Sequence, residues 1–203
     1  YTWADISYRV RRLTSALFDM GLERGDKVAI LSKNCAEWII TDLALQLGGF
    51  VSVPMYFDLT PETMTYVLEH SESKAMFIGK LDQPVWDRLK SAVPNNIKKI
   101  GFSFHGADGD FNRDDFEYKL MDMVEASEPF TDSPVPDDED VWTMVYTSGT
   151  TGYPKGAVHC YRAPRFVGAR VIETFTLTEN ERGLSFLPLA HVAERLLVAT
   201  ASI

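Results

Sequence analysis

The stretch KVAILSKNCAEWIITDLALQLGGFVSVPMY, residues 27–56, decides the fold class. KVAIL (27–31) is a short apolar run behind a Gly-Asp turn, the pattern of a buried strand. AEWIITDLALQLGG (36–49) has the length and apolar content of a helix that stops on glycine. FVSVPMY (50–56) is a second strand, broken by Pro54. Strand, helix, strand in some thirty residues is a βαβ unit, which sets two strands parallel.

The same alternation continues outward. Upstream, ADISYRVRRLTSALFDMG (4–21) puts Ile6, Val10, Leu13 and Leu17 on one helical face, with Thr2 or Asp5 as cap and Gly21 as stop. Downstream, Thr60 and Pro61 open a helix over 61–71, as an N-cap followed by proline at the first helical position. KAMFIG (74–79) is a third strand, QPVWDRLKSAV (83–93) a crossover helix and IKKIGFSF (97–104) a fourth strand. HGADGDFNRDD (105–115) reads as a polar loop. DFEYKLMDMVEAS (115–127) reads as a helix with Phe116, Leu120 and Met123 on one side. Residues 127–140, rich in proline and acid, read as a solvated linker. VWTMVYT (141–147) restarts as a strand, and CYRAPRFVGARVIETF (160–175) is helical after Pro164. TENE (178–181) fits a capping box, and GLSFLPLAHVAERLL (183–197) runs from a strand into a helix at Pro188. The expected fold is α/β, a mostly parallel sheet with helices on both faces.

Composition narrows the function. The 203 residues carry 20 basic and 29 acidic side chains, a net charge of -9. An acidic surface argues against non-specific nucleic-acid binding, which needs basic patches. The two cysteines, Cys35 and Cys160, sit far apart in no metal or redox pattern, so free thiols are expected. No apolar run is long enough to span a bilayer and no signal peptide is visible, which makes cytoplasmic the default. The chain opens on Tyr1 and stops inside the apolar-rich RLLVATASI, so we read it as a piece of a longer protein.

YTSGTTGYPKGA (146–157) is the chemically telling segment. A strand, then glycines and hydroxyls, then a lysine is the arrangement of a phosphate cradle. Glycines let backbone N–H groups close on an anion, hydroxyls add donors, and Lys155 adds a full charge. The GxxxxGK[ST] loop does not fit, because no glycine precedes Lys155 and no Ser or Thr follows it. No strand end carries GxGxxG.

Thr147 to Gly156 resembles the nucleotide-binding loop of the adenylate-forming superfamily, roughly [ST]SGTTGxPKG, at every fixed position. LPLAHVAERL (187–196) resembles the next motif of that family, in a form most like the long-chain fatty acyl-CoA synthetase branch. The stretches 25–49 and 53–79 resemble the early part of the same branch. The resemblance implies an incomplete N-terminal AMP-binding domain over 1–203, without the C-terminal domain. It implies ATP, Mg²⁺ and coenzyme A, with a fatty acid as the acid substrate. Thr147, Ser148, Gly149, Thr150, Thr151, Gly152, Lys155 and Gly156 would hold the β- and γ-phosphates, with Thr147 also toward Mg²⁺. Lys155 and His191 would serve the reaction, His191 by positioning substrate near the acyl pocket. Family parts that lie later in such proteins are absent, so the isolated piece is expected to be inactive.

Other readings stay open on the residues alone. The acid could be aryl, short-chain or an amino acid, or the fold could serve as a non-catalytic binding module. Glu194 and Arg195 read either as a surface charge pair or as a polar stop at the pocket entrance. Phe166, Val167, Arg170 and Val171 read as a core face before they read as pocket lining. A fatty substrate leaves peripheral membrane contact and a homodimer open, although no basic amphipathic helix advertises a membrane.

Overall fold

The computed structural model describes residues 1–103, 115–147, 152–178 and 183–200. The strands are β1 (Lys27–Ser32), β2 (Val51–Met55), β3 (Ser73–Gly79), β4 (Lys98–Gly101), β5 (Tyr118–Lys119), β6 (Val141–Thr147) and β7 (Lys155–Cys160). They form one sheet in the order β5-β4-β3-β1-β2-β6-β7. Every neighbouring pair is parallel except β6 with β7. The helices are α1 (Trp3–Asp19), α2 (Ala36–Gly48), α3 (Pro61–His70), α4 (Gln83–Leu89), α5 (Leu120–Ala126), α6 (Arg162–Phe175) and α7 (Val192–Thr200).

The pleat sorts the core into two layers. Val28, Ile30, Ala75, Phe77 and Ile100 pack under α1, α2 and α5, against Leu13, Leu17, Trp38, Leu45 and Val124. Ala29, Leu31, Met76 and Ile78 face the other way, against Met64, Leu68, Trp86 and Leu89 of α3 and α4. Because both faces of β1 and β3 are covered, these strands read as continuous apolar runs rather than alternating ones.

Local chemistry sets the helix ends. Thr2 accepts from the Asp5 N–H at 3.2 Å while the Asp5 carboxylate accepts from the Thr2 N–H at 2.8 Å, a reciprocal capping box. Thr60 accepts from the Thr63 N–H at 3.2 Å, ahead of Pro61. Gly49 closes α2 at φ 70°, a conformation that suits glycine.

Several expectations are corrected. Pro54 does not break β2: it pairs with Ile30 of β1. What stops is the ladder to β6, whose register is Ser52 with Thr143, before the residue that has no N–H to give. Residues 115–127 are not one helix. Tyr118 and Lys119 pair with β4 first, and Phe116 stacks on Trp86 at 5.5 Å. Helix α6 starts at Arg162, with Pro164 tolerated in its first turn. No strand occupies the described residues 183–191. Among the described residues α6 buries only Pro164 and Gly168, and Phe166 and Phe175 are exposed, so it is not a core face here. The loop over 105–114 and the TENE residues 179–181 lie outside the described residues.

Residues 127–140 carry no helix or strand, yet they are fastened at both ends. Arg11 of α1 donates to the Phe130 and Asp132 carbonyls at 2.8 and 3.1 Å and to the Ser133 hydroxyl at 2.8 Å. The Phe130 ring stacks on Phe18 at 5.6 Å. Asp138 and Glu139 pair with Arg165 and Arg162 of α6. Both thiols are free, and no described helix is long and apolar enough to cross a membrane.

Candidate functional site

Strand β6 runs parallel with β2, so it ends with Thr147 at the carboxyl edge of the sheet, where open α/β sheets hold their ligands. Strand β7, which sequence patterning did not reveal, returns antiparallel and sets Lys155 directly opposite Thr147. Tyr146 pairs with Gly156 one step further in. A Cβ on Gly156 would lie 3.1 Å from the Tyr146 ring and 3.2 Å from Met144, so glycine allows that close approach. Gly152 has φ 107°, in the region that favours glycine. Ser148, Gly149, Thr150 and Thr151 lie outside the described residues.

Lys155 is exposed and has no ion pair among the described residues. With Tyr66, His70, Tyr153, Pro154 and Gly156 it lines an open cleft of about 430 Å³. Beside it, the Tyr146 hydroxyl meets Nδ1 of the cleft residue His70 at 2.7 Å. Burial, with Tyr66 nearby, pushes the Tyr146 phenol up to about 12, so it stays neutral at physiological pH.

His191 is exposed and stands immediately before α7. Its Nδ1 accepts from the Ala193 N–H at 3.2 Å, which caps the helix. The segment leading to it crosses the carboxyl end of β1, where Asn34 holds it. Asn34 Nδ2 donates to the Leu187 carbonyl at 2.7 Å, and the Leu189 N–H donates to Asn34 Oδ1 at 2.9 Å. Thus Thr147 and Lys155 are brought face to face, while His191 belongs to a second element pinned over the same sheet edge. Among the described residues no hydrogen bond joins it to the other two.

Glu194 and Arg195 are not a surface pair, since both are buried. Arg195 binds Asp42 of α2 and the Ser52 hydroxyl of β2, the latter at 2.7 Å, and lies over Trp142 of β6. A partial signal was in the sequence: Asp42 and Arg195 each lie within an apolar-rich helix, and buried charges need partners. Nothing in the pattern marked Asn34, Tyr66 or His70, whose partners come from distant segments.

For a metal the described residues offer little. No group of three or more His, Cys, Asp or Glu side chains converges among them. The Thr147 hydroxyl at the sheet edge is a single oxygen donor, which fits Mg²⁺ held mainly by phosphates and water.

The family described as AMP-binding enzyme matches residues 1–203. Fatty acyl-CoA synthetase A of Dictyostelium discoideum is 31% identical across 98% of this chain and 31% of its own length. Long-chain-fatty-acid–CoA ligase FadD15 of Mycobacterium bovis is 30% identical across 98% of this chain and 33% of its own. A Rhodopseudomonas palustris structure, assigned as a long-chain-fatty-acid CoA ligase, superposes with a TM-score of 0.80 at 25% identity, over 100% of this chain and 48% of that one. The chain therefore spans about a third of the length of the curated relatives it matches.

Proposed function

The chain belongs to the AMP-binding enzyme family, and on that premise we propose that the protein carrying it is an acid–thiol ligase for long-chain fatty acids. The carboxylate attacks the α-phosphorus of ATP, forming an acyl-adenylate and releasing pyrophosphate. The thiol of coenzyme A then attacks the acyl carbon, AMP leaves, and the thiol proton goes to solvent.

The observation that carries this reading is the Thr147–Lys155 pairing. It puts an exposed ammonium and a hydroxyl together at the carboxyl edge of the sheet. Preset donors of this kind stabilise the charge that builds on a departing pyrophosphate. Mg²⁺ bound with ATP would add charge neutralisation there, with Thr147 as a protein oxygen toward it. His191 has a positioning role in this reading. No general base is needed to activate the acid, because a carboxylic acid is already ionised at neutral pH. The names of the relatives support the long-chain substrate.

The test is acid-dependent exchange of labelled pyrophosphate into ATP by the full-length protein, with acids from acetate to oleate. Exchange that peaks with long chains is the expected outcome. A peak with short or aryl acids keeps the adenylation and overturns the substrate. No exchange with any acid favours a non-catalytic binding module.

A further inference from the structure

Helix α3 grips both strands that carry the candidate phosphate residues. Tyr66 and His70 are four residues apart, so they share one face of the helix. Each reaches a different strand end. His70 Nδ1 meets the Tyr146 hydroxyl at 2.7 Å, on the residue directly before Thr147, with the rings edge-on at 5.7 Å. Tyr66 stacks on Tyr153 at 4.8 Å, two residues before Lys155. The two α3 rings contact each other at 5.3 Å.

This grip matters because it acts where the ladder between β2 and β6 ends. The β2–β6 register is the single pair Ser52 with Thr143, so beyond Thr143 the end of β6 is held by β7 and by the His70 contact to Tyr146. Lys155 lines the cleft whose other walls are Tyr66, His70 and Tyr153. A small displacement of these strand ends would move the ammonium relative to the hydroxyl, and catalytic donors tolerate errors of only about 1 Å.

We infer that Tyr66 and His70 are positioning residues that set the spacing of Thr147 and Lys155 for the β- and γ-phosphates of ATP. This rests on the ATP-dependent reading above. They act through Tyr146 and Tyr153.

The experiment measures equilibrium binding of MgATP and of AMP by calorimetry in the full-length protein. The variants are Tyr66→Ala, His70→Ala, the double alanine variant, and the conservative pair Tyr66→Phe and His70→Gln. The double variant is expected to bind MgATP about tenfold more weakly and AMP as before, since AMP lacks the two phosphates these residues align. Tyr66→Phe keeps the stack and His70→Gln keeps an acceptor for the Tyr146 hydroxyl, so both are expected to hold wild-type affinity. Unchanged MgATP affinity in the folded double variant overturns the inference. Equal losses for MgATP and AMP overturn it too, by showing a merely structural role. If the double variant does not fold, His70→Ala at its exposed site gives the same comparison. A wild type that binds no MgATP removes both this inference and the proposed function. A wild type that binds MgATP but exchanges no pyrophosphate removes only the proposed function.

Discussion

The Arg195 guanidinium grips the Asp42 carboxylate through Nε at 2.9 Å and Nη2 at 2.5 Å, with both side chains 1% exposed. The guanidinium also lies 3.9 Å from the centroid of Trp142. It thereby ties α7, which begins beside His191, to α2 and to the strand that ends in Thr147. Nη2 continues the network into Ser52, whose hydroxyl donates to Thr143 Oγ1 at 3.0 Å.

Removing one member of a buried pair leaves the other charge without a partner. Asp42→Leu or Arg195→Met is therefore expected to destabilise the protein by about 3–5 kcal/mol. Arg195→Met combined with Asp42→Leu should be much less damaging than the sum of the two, because neither charge is then stranded. Urea denaturation of the four proteins gives the coupling. Additive losses would mean that the pair does not act as a unit.

Lys155 should separate stability from function. It is exposed and has no described ion pair, so Lys155→Ala is expected to change unfolding free energy by no more than about 0.5 kcal/mol. The rate of pyrophosphate exchange should fall by about 10²–10³-fold, the usual effect of losing one preset charge-stabilising donor. A large loss of stability with little loss of exchange would assign the lysine to the fold.

What the sequence disclosed and what it hid follow from range. The β1–α2–β2 unit, the helix caps at Thr2 and Thr60, and the glycine closing α2 all depend on residues within a few positions, and all were legible. Strand β7 was hidden because KGAVHC is half exposed and has no alternation strong enough to mark it; its partner β6 defines it. The two-residue β5 was hidden inside a helical-looking run for the same reason. In the site, the motif named Thr147 and Lys155, but the residues that hold them come from α3. Asn34, which holds the segment before His191, lies about 150 residues away in sequence. Such pairings are tertiary and leave no local trace.

Alkaline pH should weaken the fold through two phenols. Burial pushes Tyr146 up to about 12, and burial with Asp42 nearby pushes Tyr161 up as well, from an ordinary value of 10.0. As pH passes 10, the unfolded chain releases these protons while the folded chain keeps them. The unfolded state then binds fewer protons, so stability is full below pH 10 and is lost as pH rises toward the folded values. Tyr146→Phe and Tyr161→Phe should each flatten this decline in denaturant titrations run from about pH 9 to pH 11. Declines as steep as wild type in both variants would place the effect elsewhere.

Gly156→Ala tests how tightly the strand ends are set. The backbone of Gly156 is ordinary strand, so an alanine meets no conformational penalty there. The added methyl group instead presses on Tyr146 at 3.1 Å and on Met144 at 3.2 Å, and each must yield by a few tenths of an ångström. Met144 is flexible and can move. A shift of the Tyr146 ring disturbs its 2.7 Å contact with His70. The expected stability loss is small, about 1 kcal/mol, as for mild overpacking. The expected loss in MgATP affinity is larger, because the displaced ring adjoins Thr147. Substituting Tyr146→Phe in the same protein should then add little further loss, since the hydroxyl contact is already weakened. Full additivity of the two substitutions in MgATP binding would show that Gly156 acts on the phosphates directly and not through Tyr146.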